Sequence, residues 1–162
     1  MKFSGPRGFT MIEILIVLAV LGILTGIAVS NLLGFRQRLD LDKAVEQLTQ
    51  DLQHCRALSL AKSRVCRVRF LSSERYLVEL STRSASMPSR NVCNDSNFAT
   101  RRDRKLKAPV AISGLEANDC VAYDTRGYAH PSLSTPGQIT LSNGERDMTV
   151  VPSIVGAIRV VK

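Results

Sequence analysis

Glu13 is the only charged residue between Gly8 and Phe35. A carboxylate in such surroundings can hold a cation, take up a proton or pair with an ammonium group. At the head of a helix of membrane length it costs about 3 kcal/mol or more near a bilayer centre unless it is paired. No Lys or Arg lies within a helical turn of it. Its partner must come from outside the segment or be created by processing. The remaining candidates point to no reaction. His54 and His130 are the only histidines, and neither stands in a nucleophile–base arrangement; both read as surface residues. The four cysteines show no C-x-x-C spacing and no histidine pair beside them, so a zinc site is not expected. There is no G-x-x-x-x-G-K-[ST] or G-x-G-x-x-G loop to cradle phosphates. Tryptophan is absent and aromatics make up 5% of the chain, which argues against an aromatic-lined sugar or base site. Neither an enzyme nor a cofactor is expected.

One charge cluster stands out. The run Arg101-Arg102-Asp103-Arg104-Lys105-Leu106-Lys107 carries five cations and one acid. In a loop, Arg101, Arg102, Arg104 and Lys105 could track phosphates with salt-dependent affinity. The competing reading is a solvated loop or a docking patch for an acidic neighbour. The formal net charge is +8, and an excess of that size bears mostly on solubility.

The elements that carry these residues follow from hydrophobic period. From Ile14 to Phe35 the chain is apolar, and its 22 residues span about 33 Å as a helix, enough for a hydrocarbon core of about 30 Å. Gly22 and Gly26 set a small-xxx-small spacing that lets helices approach. From Asp40 to Lys62, Leu41, Ala44, Val45, Leu48, Leu52, Cys55, Leu58 and Ala61 recur three or four apart, marking a one-faced helix. The two halves are expected to form one helix of about 50 residues. After Lys62 the period becomes two. Cys66, Val68 and Phe70 alternate with Arg67 and Arg69, which predicts a strand with one wet face. Residues 72–75 turn the chain, and Tyr76, Val78 and Leu80 complete a hairpin. Residues 81–107 read as a long surface loop. Further strands are expected over 109–112, 120–123, 138–141, 148–151 and 157–161. Asn143-Gly144 is read as a two-residue hairpin turn.

The N-terminal residues Gly8, Phe9, Thr10, Met11, Ile12 and Glu13, behind a short leader carrying Lys2 and Arg7, resemble the class III prepilin signal of type IV pilins and type II secretion pseudopilins. Two other readings of the same segment are a secretory signal with a small-residue site at Ala28-Val29-Ser30 before Asn31, and a plain membrane anchor. Neither accounts for a glutamate five residues after a Gly-Phe junction. The downstream order is similar to the H-type pseudopilin and minor-pilin family. The matching segments are 64–70, the turn from Tyr123 to Gly127, 137–141 and the closing 156–160. Where major pilins finish with a disulfide-closed loop, this chain finishes on a strand pattern.

The resemblance implies a fold: α+β and pilin-like, a long N-terminal helix packed on an antiparallel sheet or sandwich. It divides the chain into a leader (1–8), a transmembrane or filament-core helix (9–35), an amphipathic continuation (36–62) and a strand-rich domain (63–162). It implies that a prepilin peptidase cuts between Gly8 and Phe9 and methylates the Phe9 amine, and that Glu13 pairs with the N-terminal amine of a neighbouring subunit. The implied protein is a minor pilin or pseudopilin, assembled near the tip of a type IV pilus or type II secretion pseudopilus. It would start as a single-pass protein of the bacterial inner membrane, its domain on the periplasmic side, in contact with lipid, the assembly platform and other pilins. In an oxidising compartment Cys93 and Cys120 can pair, and Cys55 and Cys66 can pair or stay as packed thiols. Some DNA-uptake members of the family carry a C-terminal Gly-Arg-x-Arg motif. Here Gly156 and Arg159 match and the first arginine is missing. DNA capture through residues 101–107 and Arg159 is the alternative function.

Overall fold

The computed structural model describes residues 9–84, 88, 92–135 and 137–161; within the helix the side chains of residues 27–33 lie outside the description. One helix, α1, runs Met11–Lys62. The chain forms two compact units, divided between Arg36 and Gln37.

In the first unit the helix is apolar on every side. Ile14, Leu15, Ile16, Val17, Leu18 and Leu24 are all at least half exposed. A helix of this kind requires apolar surroundings of lipid or other helices. Among the described residues no helix is long and apolar enough to cross a membrane. The expected span over 9–35 includes residues 27–33, whose side chains lie outside the description.

The second unit holds the core. Leu41, Ala44, Val45, Leu48, Leu52 and Cys55 form a buried stripe on α1, with the three-and-four spacing read from the sequence. That stripe covers two antiparallel sheets. The first has the order β3-β2-β1-β5-β6 and the second β4-β7-β8-β9. Their strands are β1 Cys66–Ser72, β2 Arg75–Ser81, β3 Phe98–Lys105, β4 Ala111–Ser113, β5 Cys120–Tyr123, β6 Ala129–Ser132, β7 Ile139–Ser142, β8 Asp147–Pro152 and β9 Ile158–Val161. Val68, Phe70, Tyr76, Val78, Val121 and Tyr123 from the first sheet meet Ile139, Leu141 and Val150 from the second in one cluster with the helix. Each large apolar side chain removed from water here contributes about 2 kcal/mol.

Four expectations are corrected. First, residues 81–107 are not one surface loop, because the segment contains β3, paired along β2 with a bulge after Val78. Its core-facing residues are arginines, so apolar alternation could not reveal it. Second, the Arg67 position of β1 is not wet. Arg67 is 2% exposed, because a short 3-10 turn at Val92–Asn94 and Phe98 cover that side in a second cluster with Val65, Cys93, Cys120 and Ala122. Third, the turn at Asn143 is not a two-residue hairpin. Ser142 pairs with Asp147, so the loop holds four residues. The Asn143 side chain organises it, accepting from the Glu145 and Arg146 amides at 3.0 and 2.9 Å. An Asn side chain mimics a backbone turn in this way. Fourth, β6 went unread because His130 and Pro131 hide its period; as a sheet edge it tolerates a proline.

Candidate assembly site and the polar clusters of the domain

The N-terminal site is built from a helix start. Thr10 precedes the first helical residue, and its Oγ1 accepts from the Glu13 amide at 3.3 Å. The Thr10 carbonyl accepts from the amides of Glu13 and Ile14 at 3.1 and 3.4 Å. Thr10-x-x-Glu13 has the spacing of a capping box, which satisfies amide groups that the helix leaves unpaired. That signal was present in the sequence and links two residues of the processing motif in one structural role. Glu13 lies in the first turn, where the helix dipole favours a negative charge. Among the described residues no ion pair engages its carboxylate. Gly8 and the leader lie outside the described residues; Phe9 is exposed.

The four cysteines form two disulfides, Cys55–Cys66 and Cys93–Cys120. The first ties the buried face of α1 to the start of β1. The second ties the 3-10 turn to β5, closing a loop with a sequence separation of 27. Loop closure of that length contributes about 3–4 kcal/mol in the chain-entropy model. Cys93→Ser is therefore expected to lower the melting temperature under non-reducing conditions, read by circular dichroism. An unchanged melting temperature would count against the staple.

The basic run is divided by strand alternation. Arg102 and Arg104 lie opposite Val78 and Tyr76 and turn toward α1. There Arg102 Nη1 donates to Asp51 Oδ1 at 2.6 Å, Arg104 Nε to Asp51 Oδ2 at 2.9 Å, and the Tyr76 hydroxyl to Asp51 Oδ2 at 3.1 Å. Asp51 is 1% exposed. Burial pushes its carboxyl up, but the hydrogen bonds from Arg104 and Arg102 outweigh that and hold it below the usual range. On the other face Arg75 and Asp103 form a two-bond pair; past the end of β3, Lys107 reaches Asp40 of α1 at 2.9 Å. Two of the five residues expected to meet DNA, Arg102 and Arg104, are thus occupied by a buried carboxylate. Arg159 sits apart on exposed β9, opposite Val151.

A second buried polar cluster was missed. Arg67 and Glu79 face each other across β1 and β2, and Arg67 Nε donates to Glu79 Oε2 at 2.6 Å. Arg69 donates to the same carboxylate at 3.1 and 3.0 Å. Arg67 Nη1 also donates to the Val92 carbonyl, and its guanidinium carbon lies 3.9 Å from the Phe98 ring centre. Burial raises the Glu79 carboxyl, and the hydrogen bonds from Arg69 and Arg67 more than reverse this, leaving it low. A third cluster joins the helix to two turns. Arg56 Nε donates to the Gly127 carbonyl at 3.1 Å and Nη1 to the Gly156 carbonyl at 3.3 Å. Gly156 has φ of +80°, and a Cβ there would lie 2.6 Å from the Gly127 oxygen, so glycine is required. Asp124, fully buried, accepts from the Arg126 and Tyr128 amides at 2.9 Å and approaches His130 Nε2 at 3.5 Å. These groups hold turns in place. Among the described residues no group of His, Cys, Asp and Glu could hold a metal ion.

Residues 4–29 match the family described as the prokaryotic N-terminal methylation motif. The chain is 43% identical over 42 residues to type II secretion system core protein G of Dickeya chrysanthemi, 26% of this chain and 28% of that protein. It is 44% identical over 47 residues to the core protein G of Vibrio cholerae, 29% of this chain and 32% of that protein. The chain thus spans less than a third of the length of these curated relatives. Among solved structures, it resembles the type IV minor pilin FimU of Pseudomonas aeruginosa with a TM-score of 0.53, at 16% identity, over 79% of this chain and 92% of that one. The minor pseudopilin EpsH of the Vibrio cholerae type 2 secretion system is similar with a TM-score of 0.52, at 13% identity, over 75% and 96%. The chain thus carries the prokaryotic N-terminal methylation motif at the head of a long helix, and its α+β fold is that seen in the solved structures of the minor pilin FimU and the minor pseudopilin EpsH.

Proposed function

We propose that this protein is a minor structural subunit of a type IV pilus or a type II secretion pseudopilus. The observation that carries this reading is a conjunction. The methylation motif over residues 4–29 stands at the start of a helix apolar on every side, and that helix continues into a domain folded like FimU and EpsH. In this reading a prepilin peptidase removes residues 1–8 and the Phe9 amine is methylated. The apolar half of α1 (9–35) is held in the inner membrane before assembly and in the filament core afterwards. Residues 36–62 carry the domain (63–162) on the periplasmic side. The Glu13 carboxylate pairs with the Phe9 amine of an adjacent subunit. The assembly platform and other pilins or pseudopilins are its partners. Its contribution is to bind and position other subunits, with no catalytic step of its own.

The mature chain is expected to begin at Phe9 with an N-methyl group. Intact-mass and N-terminal peptide analysis of protein recovered from membranes reads this directly. A mature start at Asn31 would remove the processing motif and Glu13 together, and would end the filament-subunit reading.

A further inference from the structure

Among the described residues the two sheets present four edge strands, and three are blunted. Edge strands are commonly protected by charge, proline or shortness, because their unpaired amide and carbonyl groups recruit other strands. β3 alternates charges at Arg101, Asp103 and Lys105, and β6 carries Pro131. β4 is three residues long. β9 carries a single charge, Arg159, and no proline. Three of its four residues, Ile158, Val160 and Val161, are β-branched and apolar, and its register with β8 is unbroken. The turn before it adds Ile154 and Val155, 70% and 60% exposed.

The hydrogen-bond phase of β9 shows which groups face outward. Ser153 donates its amide to the Ala157 carbonyl at 2.7 Å, so the bonded pairs of this antiparallel ladder continue at Val151–Arg159 and Thr149–Val161. The amide and carbonyl of Val160 therefore point away from β8, along the open edge. Its side chain lies opposite Val150, which is fully buried, yet Val160 remains 38% exposed. The reason is a groove of about 400 Å³ beyond it, lined by Val45, Met148, Thr49, Gln50, Asp42 and Glu46. Thr49 Oγ1 is buried there with no hydrogen-bond partner among the described residues. Asp42 and Glu46, four apart on α1, place two like charges on the same rim, which is unfavourable without a cation.

We propose that a neighbouring filament subunit adds an extended segment to β9, whose side chains on the α1 side cover Val45 and Val160 with apolar groups and meet Asp42 and Glu46 with basic ones. This deepens the filament-subunit reading and rests on it for the source of the segment. Main-chain bonds to Val160 give the affinity, and the alternation of side chains gives the specificity, as in other strand additions.

The test uses the full chain in non-ionic detergent and two synthetic probes, peptides of the repeats Val-Thr-Lys-Thr and Val-Thr-Glu-Thr, in which the valines and the charged residues share one face. Binding is read by fluorescence anisotropy and its location by hydrogen exchange. The lysine peptide is expected to bind about fivefold or more tighter than the glutamate peptide, and to protect the Val160 amide. Val160→Pro is expected to weaken it about tenfold, through loss of one outward hydrogen bond, with the melting temperature unchanged because that amide does not serve β8. Asp42→Asn with Glu46→Gln is expected to erase the preference between peptides without preventing binding. Equal binding of both peptides, full binding by Val160→Pro, protection at β3 or β6 instead, or homodimers joined through β9 would each overturn the proposal. The peptides require no filament, so failure here is separable from failure of the processed N-terminus.

Discussion

Replacing Glu79 with alanine is expected to remove about 3–5 kcal/mol from the stability of the domain beginning at Gln37. Arg67 is 2% exposed, and Glu79 supplies its carboxylate partner at 2.6 Å. Removing one member of a buried pair leaves the other charge without compensation, which costs far more than the pair contributes net. Arg69 is pushed toward the same fate, although its side chain, 22% exposed, can turn to water. The Phe98 ring and the Val92 carbonyl stay in place around Arg67, but neither carries a negative charge. The same carboxylate also predicts an acid limb. Its pKa is held low in the folded state, so its contribution is fully present above the unfolded value near 4.3 and fades as pH falls through the lower folded value. Asp51 follows the same sign for the same reason. The alanine variant should therefore show a shallower loss of stability with acid than the parent. Urea unfolding of both proteins at neutral pH and at about pH 3 measures each part. A loss below about 1 kcal/mol, typical of an exposed pair, would show that the cluster is not load-carrying.

Glu13→Ala is expected to abolish or strongly reduce entry into filaments while leaving the domain folded. The substitution removes a charge from an apolar helix, which favours membrane insertion by about 3 kcal/mol near the bilayer centre. What it costs the free chain is a favourable dipole contact in the first helical turn, about 0.3–1 kcal/mol. Thr10 keeps its bond to the residue 13 amide, because that bond uses backbone nitrogen. An assembly defect would then belong to pairing between subunits and not to helix loss. Immunoblots of sheared filaments and of membranes, with N-terminal mass analysis to confirm cleavage, separate these steps. Normal incorporation of the correctly processed variant would remove Glu13 from the pairing role.

The parts of this protein that were legible in the chain are those where one residue or one period settles the matter locally. A single carboxylate among apolar residues marks the N-terminal site whatever surrounds it. The stripe from Leu41 to Cys55 and the alternation of Val68, Phe70, Tyr76 and Val78 repeat at the period of the element they form. Tertiary structure decided everything that depends on which face is covered. β3 was unreadable because its inward positions are Arg102 and Arg104, and only the placement of Asp51 on α1 makes arginine an inward residue. Arg67 looked wet because the segment that buries it, at Val92–Asn94, is far away in sequence and is tied to β5 by Cys93–Cys120 and by packing against Ala122. Asn143-Gly144 signalled a turn correctly but not its length, because the register of Ser142 with Asp147 is set by packing across the second sheet. Local sequence determines where helix, strand and the N-terminal motif begin; long-range packing determines which charges are buried, and so which arginines remain exposed.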